Sequence, residues 1–163
     1  MILIGVGSNL TSERFASPVD VCNAALKELE RQGCVIRRRS RWYESAPVPV
    51  SDQPWFVNGV VAVETALEPA ELLGLLHGIE AAFGRVRRAR NEARVLDLDL
   101  LAYGDLVTAG PPGPALPHPR MHERAFVLLP LAEIAPGWRH PATGKSVSEL
   151  LQALPRDQTA RPI

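Results

Sequence analysis

An α+β fold built on an antiparallel sheet is predicted by two features of this sequence. Two helical segments with clear start and stop signals are each set between β-rich apolar runs, giving the order β-α-β-β-α-β. A Pro/Gly-rich stretch and further helical patterns follow the last of those strands. This is the split βαβ, ferredoxin-like arrangement, with the helices on one sheet face, the other face available to a ligand, and C-terminal helical additions.

Each element has a local reason. "MILIGVGS" is β-rich and closes in Gly and Ser, a first strand. "SPVDVCNAALKELERQG" is a helix: Ser17 caps it, Pro18 fits its first position, Asp20 suits its positive end and Gly33 stops it. Val21, Ala24, Ala25 and Leu29 form its apolar face. "CVIRRRSRWYE" is a second strand, partly exposed because of its arginines. The three prolines of "SAPVPVSDQPWF" (residues 45–56) make that stretch a loop. "FVNGVVAVETAL" is a third strand. "EPAELLGLLHGIEAAFG" is a second helix with Pro69 at its start, Gly84 at its end, and Leu72, Leu76, Ile79 and Phe83 as its core stripe. "RVLDLDLLAYG" is a fourth strand and "DLVTAGPPGPALPHPR" is irregular. "MHERAFVLLPLAEIAP" reads as helix interrupted at Pro130, and "SVSELLQAL" as a last helix with a capping box from Ser146 to Glu149.

The 163 residues suit a single domain, 1–163, with disorder expected from about 155. Apolar content is 46% and the formal net charge is zero, so no whole-molecule field draws the chain to nucleic acid or membrane. The charge is locally uneven: "RVRRAR" (85–90) and "RRRSR" (37–41) are basic clusters, either solvated faces or anion holders. Cys22 and Cys34 form no CxxC pattern and read as thiols of a reducing compartment. The apolar N-terminus is short and lacks a basic flank, and no apolar run approaches the ~20 residues of a membrane span. A cytoplasmic protein is expected.

Asp97 and Asp99 interrupt an apolar strand. Side chains alternate along a strand, so Leu96, Leu98 and Leu100 should face the helices and Val95, Asp97, Asp99 and Leu101 the open side. The two aspartates would then be roughly 7 Å apart on one face, able to converge on one hard cation or on two spaced about 3.5–4 Å. A solvated strand face carries alternating Asp as well. The arginines just before the strand (Arg85, Arg87, Arg88, Arg90, Arg94) favour a phosphate-and-metal site, because guanidinium groups match phosphate geometry. No GxxxxGK[ST] is present, and "GVGSNL" resembles a Gly-rich turn only weakly.

The chain resembles the 6-hydroxymethyl-7,8-dihydropterin pyrophosphokinase family. The blocks that carry the resemblance are "IGVGSNL", "WYESAPVPVSDQPWFVNGVVAVET", "ELLGLLHGIEAAFGRVR", "RVLDLDLL" and "LPHPRMHERAFVLLPLAEIAP", in order over most of the sequence. The resemblance implies a ferredoxin-like fold and transfer of the β,γ-pyrophosphoryl unit of ATP to the pterin hydroxymethyl group, releasing AMP. It implies two Mg²⁺ ions held by Asp97 and Asp99, with Arg85 and Arg94 catalytic alongside them. ATP would be bound by Arg85, Arg87, Arg94, Leu100, His118 and Arg124. The pterin would lie between Phe56 and Phe126, with Asn58 reading its edge and Ser45 and Val48 contributing backbone groups. The partners implied are these small molecules, without nucleic acid or membrane, and the chain is expected to be a monomer.

The sequence also departs from the family. Its usual "GPR" before the aspartates is Glu92-Ala93-Arg94, a tryptophan common in the basic loop is missing, an arginine position before the "PH" block falls near Gly113, and a tyrosine after the histidine is Pro119. The basic loop is nonetheless expected to close over ATP as a lid. Taken singly, Phe56 and Phe126 read as core residues, Asn58 as a strand-edge or turn residue, His118 as a loop cap and Glu80 as an ion-pair partner on the helix surface. Two rival readings are a non-catalytic ferredoxin-like RNA-binding module and an inactive pterin-binding paralogue. Aspartates on the open face would repel an RNA backbone.

Overall fold

The computed structural model describes residues 1–9, 15–47, 52, 54–84 and 95–163. Its elements run β1 (Ile2–Ser8), α1 (Pro18–Arg31), β2 (Val35–Arg39), β3 (Tyr43–Ser45), β4 (Phe56–Glu64), α2 (Pro69–Ala82), β5 (Asp97–Tyr103), β6 (Thr108–Ala109), β7 (Ala115–Leu116), a 3₁₀ turn (Met121–Glu123), α3 (Ala125–Ile134), α4 (Val147–Gln152) and β8 (Ala160–Pro162). The main sheet is ordered β5-β1-β4-β3-β8, with β2 also on β4, and every pairing is antiparallel. With β2 and β3 counted as one interrupted strand, this is the predicted βαββαβ arrangement.

The expected helix signals operate. The Ser17 hydroxyl accepts from the Asp20 N–H at 3.2 Å and Pro18 opens α1. Ser146 and Glu149 cap α4 reciprocally. Gly33 and Gly84 take φ values of 99° and 92° just past α1 and α2, a conformation that suits glycine. Val21, Cys22, Ala25, Leu26 and Leu29 of α1 and Leu72, Leu76 and Ile79 of α2 are buried against Ile4, Val6, Val57, Val61, Leu96, Leu98 and Leu100. Both helices therefore cover the same sheet face.

Several expectations need correction. The second strand is two strands, because the chain leaves the ladder at residues 40–42, where the Ser40 hydroxyl accepts the Val60 N–H at 3.0 Å, before β3 resumes. The other sheet face is half covered: α3 and α4 bury Leu128, Leu131, Val147 and Leu150 against Leu3, Val60, Ala62, Leu101 and Ala102. Pro130 lies inside α3 and does not end it. Its missing N–H withdraws only the bond that Phe126's carbonyl would receive in an unbroken helix. The irregular stretch after β5 contains the small hairpin of β6 and β7. Val95 packs with Leu96 against the α1/α2 side, because strand alternation begins only at Asp97. The tail expected to be disordered carries β8, paired with β3 at Tyr43–Pro162, Glu44–Arg161 and Ser45–Ala160.

The basic cluster of β2 and the residues after it is structural. Arg37 bonds Glu64 at 2.8 Å, Arg38 the Ile134 carbonyl at 2.7 Å, Arg39 the Asn23 side chain at 3.1 Å, and Arg41 meets Glu133. Glu133 also accepts from the Tyr43 hydroxyl at 2.8 Å, which ties α3 to β3. Cys22 and Cys34 are buried free thiols, and burial pushes the Cys22 thiol up to about 12. Among the described residues no helix is long and apolar enough to cross a membrane.

Candidate active site

The half of the sheet face left open by α3 is where the chemistry-bearing residues gather. Gly7 of β1 lies between Asn58 of β4 and Asp97 of β5, and Gly5 lies between Val60 and Asp99. These two rows make the floor of a depression lined also by Phe126 and Val127 of α3. The glycines are thus strand residues and do not form a phosphate-binding turn. Their missing side chains lower the floor between a polar wall on β4 and an acidic wall on β5. At Gly7 the approach is close: a Cβ there would stand 2.6 Å from Asn58 Oδ1.

Asn58 is buried, and its orientation is fixed from β3. Its Nδ2 donates to Ser45 Oγ at 3.1 Å, which leaves Oδ1 turned over Gly7 as an acceptor. Phe56 begins β4 two positions earlier, so alternation puts it on the same face as Asn58, half-buried. It is not among the residues that line the depression.

Asp97 and Asp99 are half-buried on the open face, as alternation predicts. Arg124 approaches Asp99 at 3.9 Å and stands 5.4 Å above the ring of Phe126. His118 follows β7, and its backbone N–H is bound to the Leu101 carbonyl at 2.8 Å. Its Nδ1 accepts the Arg120 N–H at 3.1 Å, which puts the ring proton on Nε2. Burial first, and then the positive charge of Arg124, push His118 down to about 4, although Asp97 opposes the shift. A neutral imidazole with an Nε2–H can donate a hydrogen bond near neutral pH without itself titrating.

Two site expectations do not place a side chain here. Leu100 is buried on the α1/α2 side, opposite the aspartates, so only its main chain could meet a nucleotide. Glu80 is not a surface ion-pair residue: it is 1% exposed and accepts the outward N–H of Leu98 at 2.8 Å. Val48, Arg85, Arg87 and Arg94, and the lid expected over residues 85–94, lie outside the described residues.

Comparison with known proteins decides the kinship. Residues 3–136 match the family model described as 7,8-dihydro-6-hydroxymethylpterin-pyrophosphokinase (HPPK). The chain belongs to the HPPK family. A Pseudomonas aeruginosa relative named 2-amino-4-hydroxy-6-hydroxymethyldihydropteridine pyrophosphokinase is 43% identical over 94% of this chain and 91% of its own length. A Synechocystis relative of the same name is 41% identical over 92% of this chain and 74% of its own. Wild-type HPPK-DHPS of Plasmodium falciparum, in a crystal structure with STZ-DHP, shares the fold at TM-score 0.72 and 14% identity. That match covers 93% of this chain and 42% of the Plasmodium one. The α+β fold and the HPPK kinship therefore agree with the expectations drawn from the sequence blocks.

Within the HPPK frame, the residues that sequence reasoning missed have readable causes. Gly5 and Gly7 act by having no side chain, and nothing in a strand pattern distinguishes such glycines from weak strand formers. Glu80 did leave a signal. It continues the i, i+4 spacing of Leu72 and Leu76, so it had to fall on the buried stripe of α2.

Proposed function

We propose that this chain transfers the pyrophosphoryl group of ATP to 6-hydroxymethyl-7,8-dihydropterin, giving AMP and the pterin diphosphate for folate biosynthesis. Membership of the HPPK family and the names of its relatives support the reaction. The observation that carries the assignment of residues is the pair of rows Asn58–Gly7–Asp97 and Val60–Gly5–Asp99. They set a fixed amide acceptor and two carboxylates on either side of a floor without side chains.

In this reading the pterin is held at the β4 side. Asn58 Oδ1 accepts from the heterocycle's N–H edge, Ser45 keeps that amide in orientation, and Phe56 and Phe126 offer faces to the ring. The main chain at Val48 completes the pocket. The nucleotide is held at the β5 side by His118 Nε2–H and Arg124, with Arg85, Arg87 and Arg94 on the phosphates and the main chain of Leu100 beside them. The hydroxymethyl oxygen forms a bond to the β-phosphorus of ATP. The bond from that phosphorus to the α,β-bridging oxygen breaks, AMP leaves, and the hydroxyl loses its proton.

Asp97 and Asp99 fit a hard divalent cation by donor chemistry: two carboxylates on one strand face, partly open to solvent. Among the described residues no third His, Cys, Asp or Glu joins them. Water and phosphate oxygens would complete the coordination shell, which suits Mg²⁺, and two ions are what the family resemblance implies. When bound, the metal supplies neutralisation of the charge on the phosphates. The site asks only for small-molecule substrates, and one chain carries every residue named, so a monomer in the cytoplasm suffices.

The test is incubation with ATP, the reduced pterin and Mg²⁺, with nucleotide products separated. AMP formed in step with pterin diphosphate, and lost on chelation with EDTA, is expected. ADP as the main product would exclude pyrophosphoryl transfer, and full turnover in EDTA would exclude the metal.

A further inference from the structure

The N-terminus of α3 carries Arg124 and Phe126, yet its own sequence gives it no side-chain cap: the capping position is Arg124 itself. A helix start leaves N–H groups that need acceptors. Here the acceptor comes from far along the chain. Gln158 Oε1 accepts the Ala125 N–H at 2.8 Å, and Gln158 Nε2 donates to the Glu123 carbonyl at 2.6 Å. One side-chain amide thus grips the backbone immediately before and immediately after Arg124.

Gln158 is itself anchored on the opposite wall of the site. The next residue, Thr159, offers its carbonyl to the Ala46 N–H at 3.2 Å, and Ala160–Pro162 pairs with β3. Arg161 bonds Glu44 at 2.7 Å and stacks 5.0 Å over the ring of Trp55, the residue before Phe56. β3 also carries Ser45, which orients Asn58. The segment is therefore fastened to both walls, while none of its residues lines the depression between them.

We propose that the C-terminal segment 158–163 is a positioning strap for the substrate site, and that Gln158 is its positioning residue, acting through Arg124. The inference rests on the reading of Arg124 as a nucleotide-binding group. A strap of this kind sets where the guanidinium stands relative to Asp99 without touching substrate.

The experiment is a double-mutant cycle on the full chain: wild type, Q158M, R124A and Q158M/R124A. Methionine keeps the length of glutamine and removes both hydrogen bonds. The kcat and KM for ATP are measured for each protein below its melting temperature. Q158M should lose about tenfold in kcat/KM for ATP, as expected for two hydrogen bonds that fix a binding group. The same substitution should cost little once Arg124 is gone, because it acts through that residue. Equal losses in both backgrounds, or no loss in Q158M, overturn the strap. Unchanged ATP kinetics in R124A alone would instead overturn the reading of Arg124 on which the strap depends. If Q158M does not accumulate as folded protein, Q158E replaces it in the same cycle: it keeps the acceptor for Ala125, loses the donor to Glu123, and is judged by the same outcomes.

Discussion

The face of the sheet that carries α3 and α4 divides into two halves along the same three strands. In the covered half, β1 presents Leu3, β4 presents Val60 and Ala62, and β5 presents Leu101 and Ala102. Within two residues on each strand the character changes: Gly5 and Gly7 on β1, Asn58 on β4, Asp99 and Asp97 on β5. The backbone pairing continues unbroken between β1 and β4, and between β1 and β5 it shifts once, between Leu3 and Ile4. The candidate site is therefore a continuation of the core layer from which bulk has been removed at the centre and to which polar groups have been added at the sides. The rigidity of the packed half is passed on to the open half through shared strands, as a preorganised site requires.

The comparison predicts that substitutions in the open half change activity and those in the covered half change stability. The largest effect is expected at the acidic wall. Asp97→Ala or Asp99→Ala should lower kcat by at least about a hundredfold, the scale for losing a charge-stabilising group, with an unchanged circular dichroism spectrum. Near-normal turnover in either variant would break the division between the halves.

In the covered half, Leu3 is fully buried, and Leu3→Ala should cost about 2–5 kcal/mol of stability in urea unfolding. Its kcat in the folded fraction should stay close to wild type. A large loss of kcat with little loss of stability would show that the two halves are not separate in function.

A smaller effect should separate the two floor glycines. Gly7→Ala must push Asn58 off its Ser45 bond, so pterin affinity should fall about tenfold, the worth of one or two hydrogen bonds. Gly5→Ala meets only the end of Leu101, at 3.5 Å, an ordinary contact, and should leave Asn58 in place. Calorimetric titration of both variants with the pterin checks this ordering, and equal affinities would refute it.

The smallest effect concerns pH. The folded state holds His118 at about 4, below its ordinary 6.5, so between those values the unfolded chain binds the extra proton. The stability linked to this group is complete above about pH 6.5 and is lost as pH falls towards 4. His118→Gln should flatten that part of the stability profile, measured as urea midpoints from pH 7 to pH 4. An unaltered slope would show that other groups set it.

Much of this was legible in the sequence because local signals and periodicity agreed. Ser17, Pro18 and Gly33 bracket α1, and the alternation in "LDLDLL" places both aspartates on the open face. Three features were not legible, each for a physical reason. The strand Ala160–Pro162 is too short and too polar to announce itself, and it exists only because β3 offers an edge. The coverage of half a face by α3 depends on long-range packing of Leu128 and Leu131 that no local pattern encodes. The cap on α3 comes from Gln158, distant in sequence, so no inspection of "HERAF" could find it.

The bond between Glu80 and the Leu98 N–H bears on the sheet as a whole. A sheet ends in strands whose outward N–H and C=O groups invite another chain to pair, which is a route to aggregation. On β5, the terminal strand at one side, a carboxylate from beneath occupies an outward donor. On β8, the terminal strand at the other side, the pairing segment is three residues long and includes Pro162, which has no N–H to offer. The two terminal strands are thus poor templates for strand addition, and β2, which branches from β4 beside β3, carries Arg37, Arg38 and Arg39, charges that oppose such pairing.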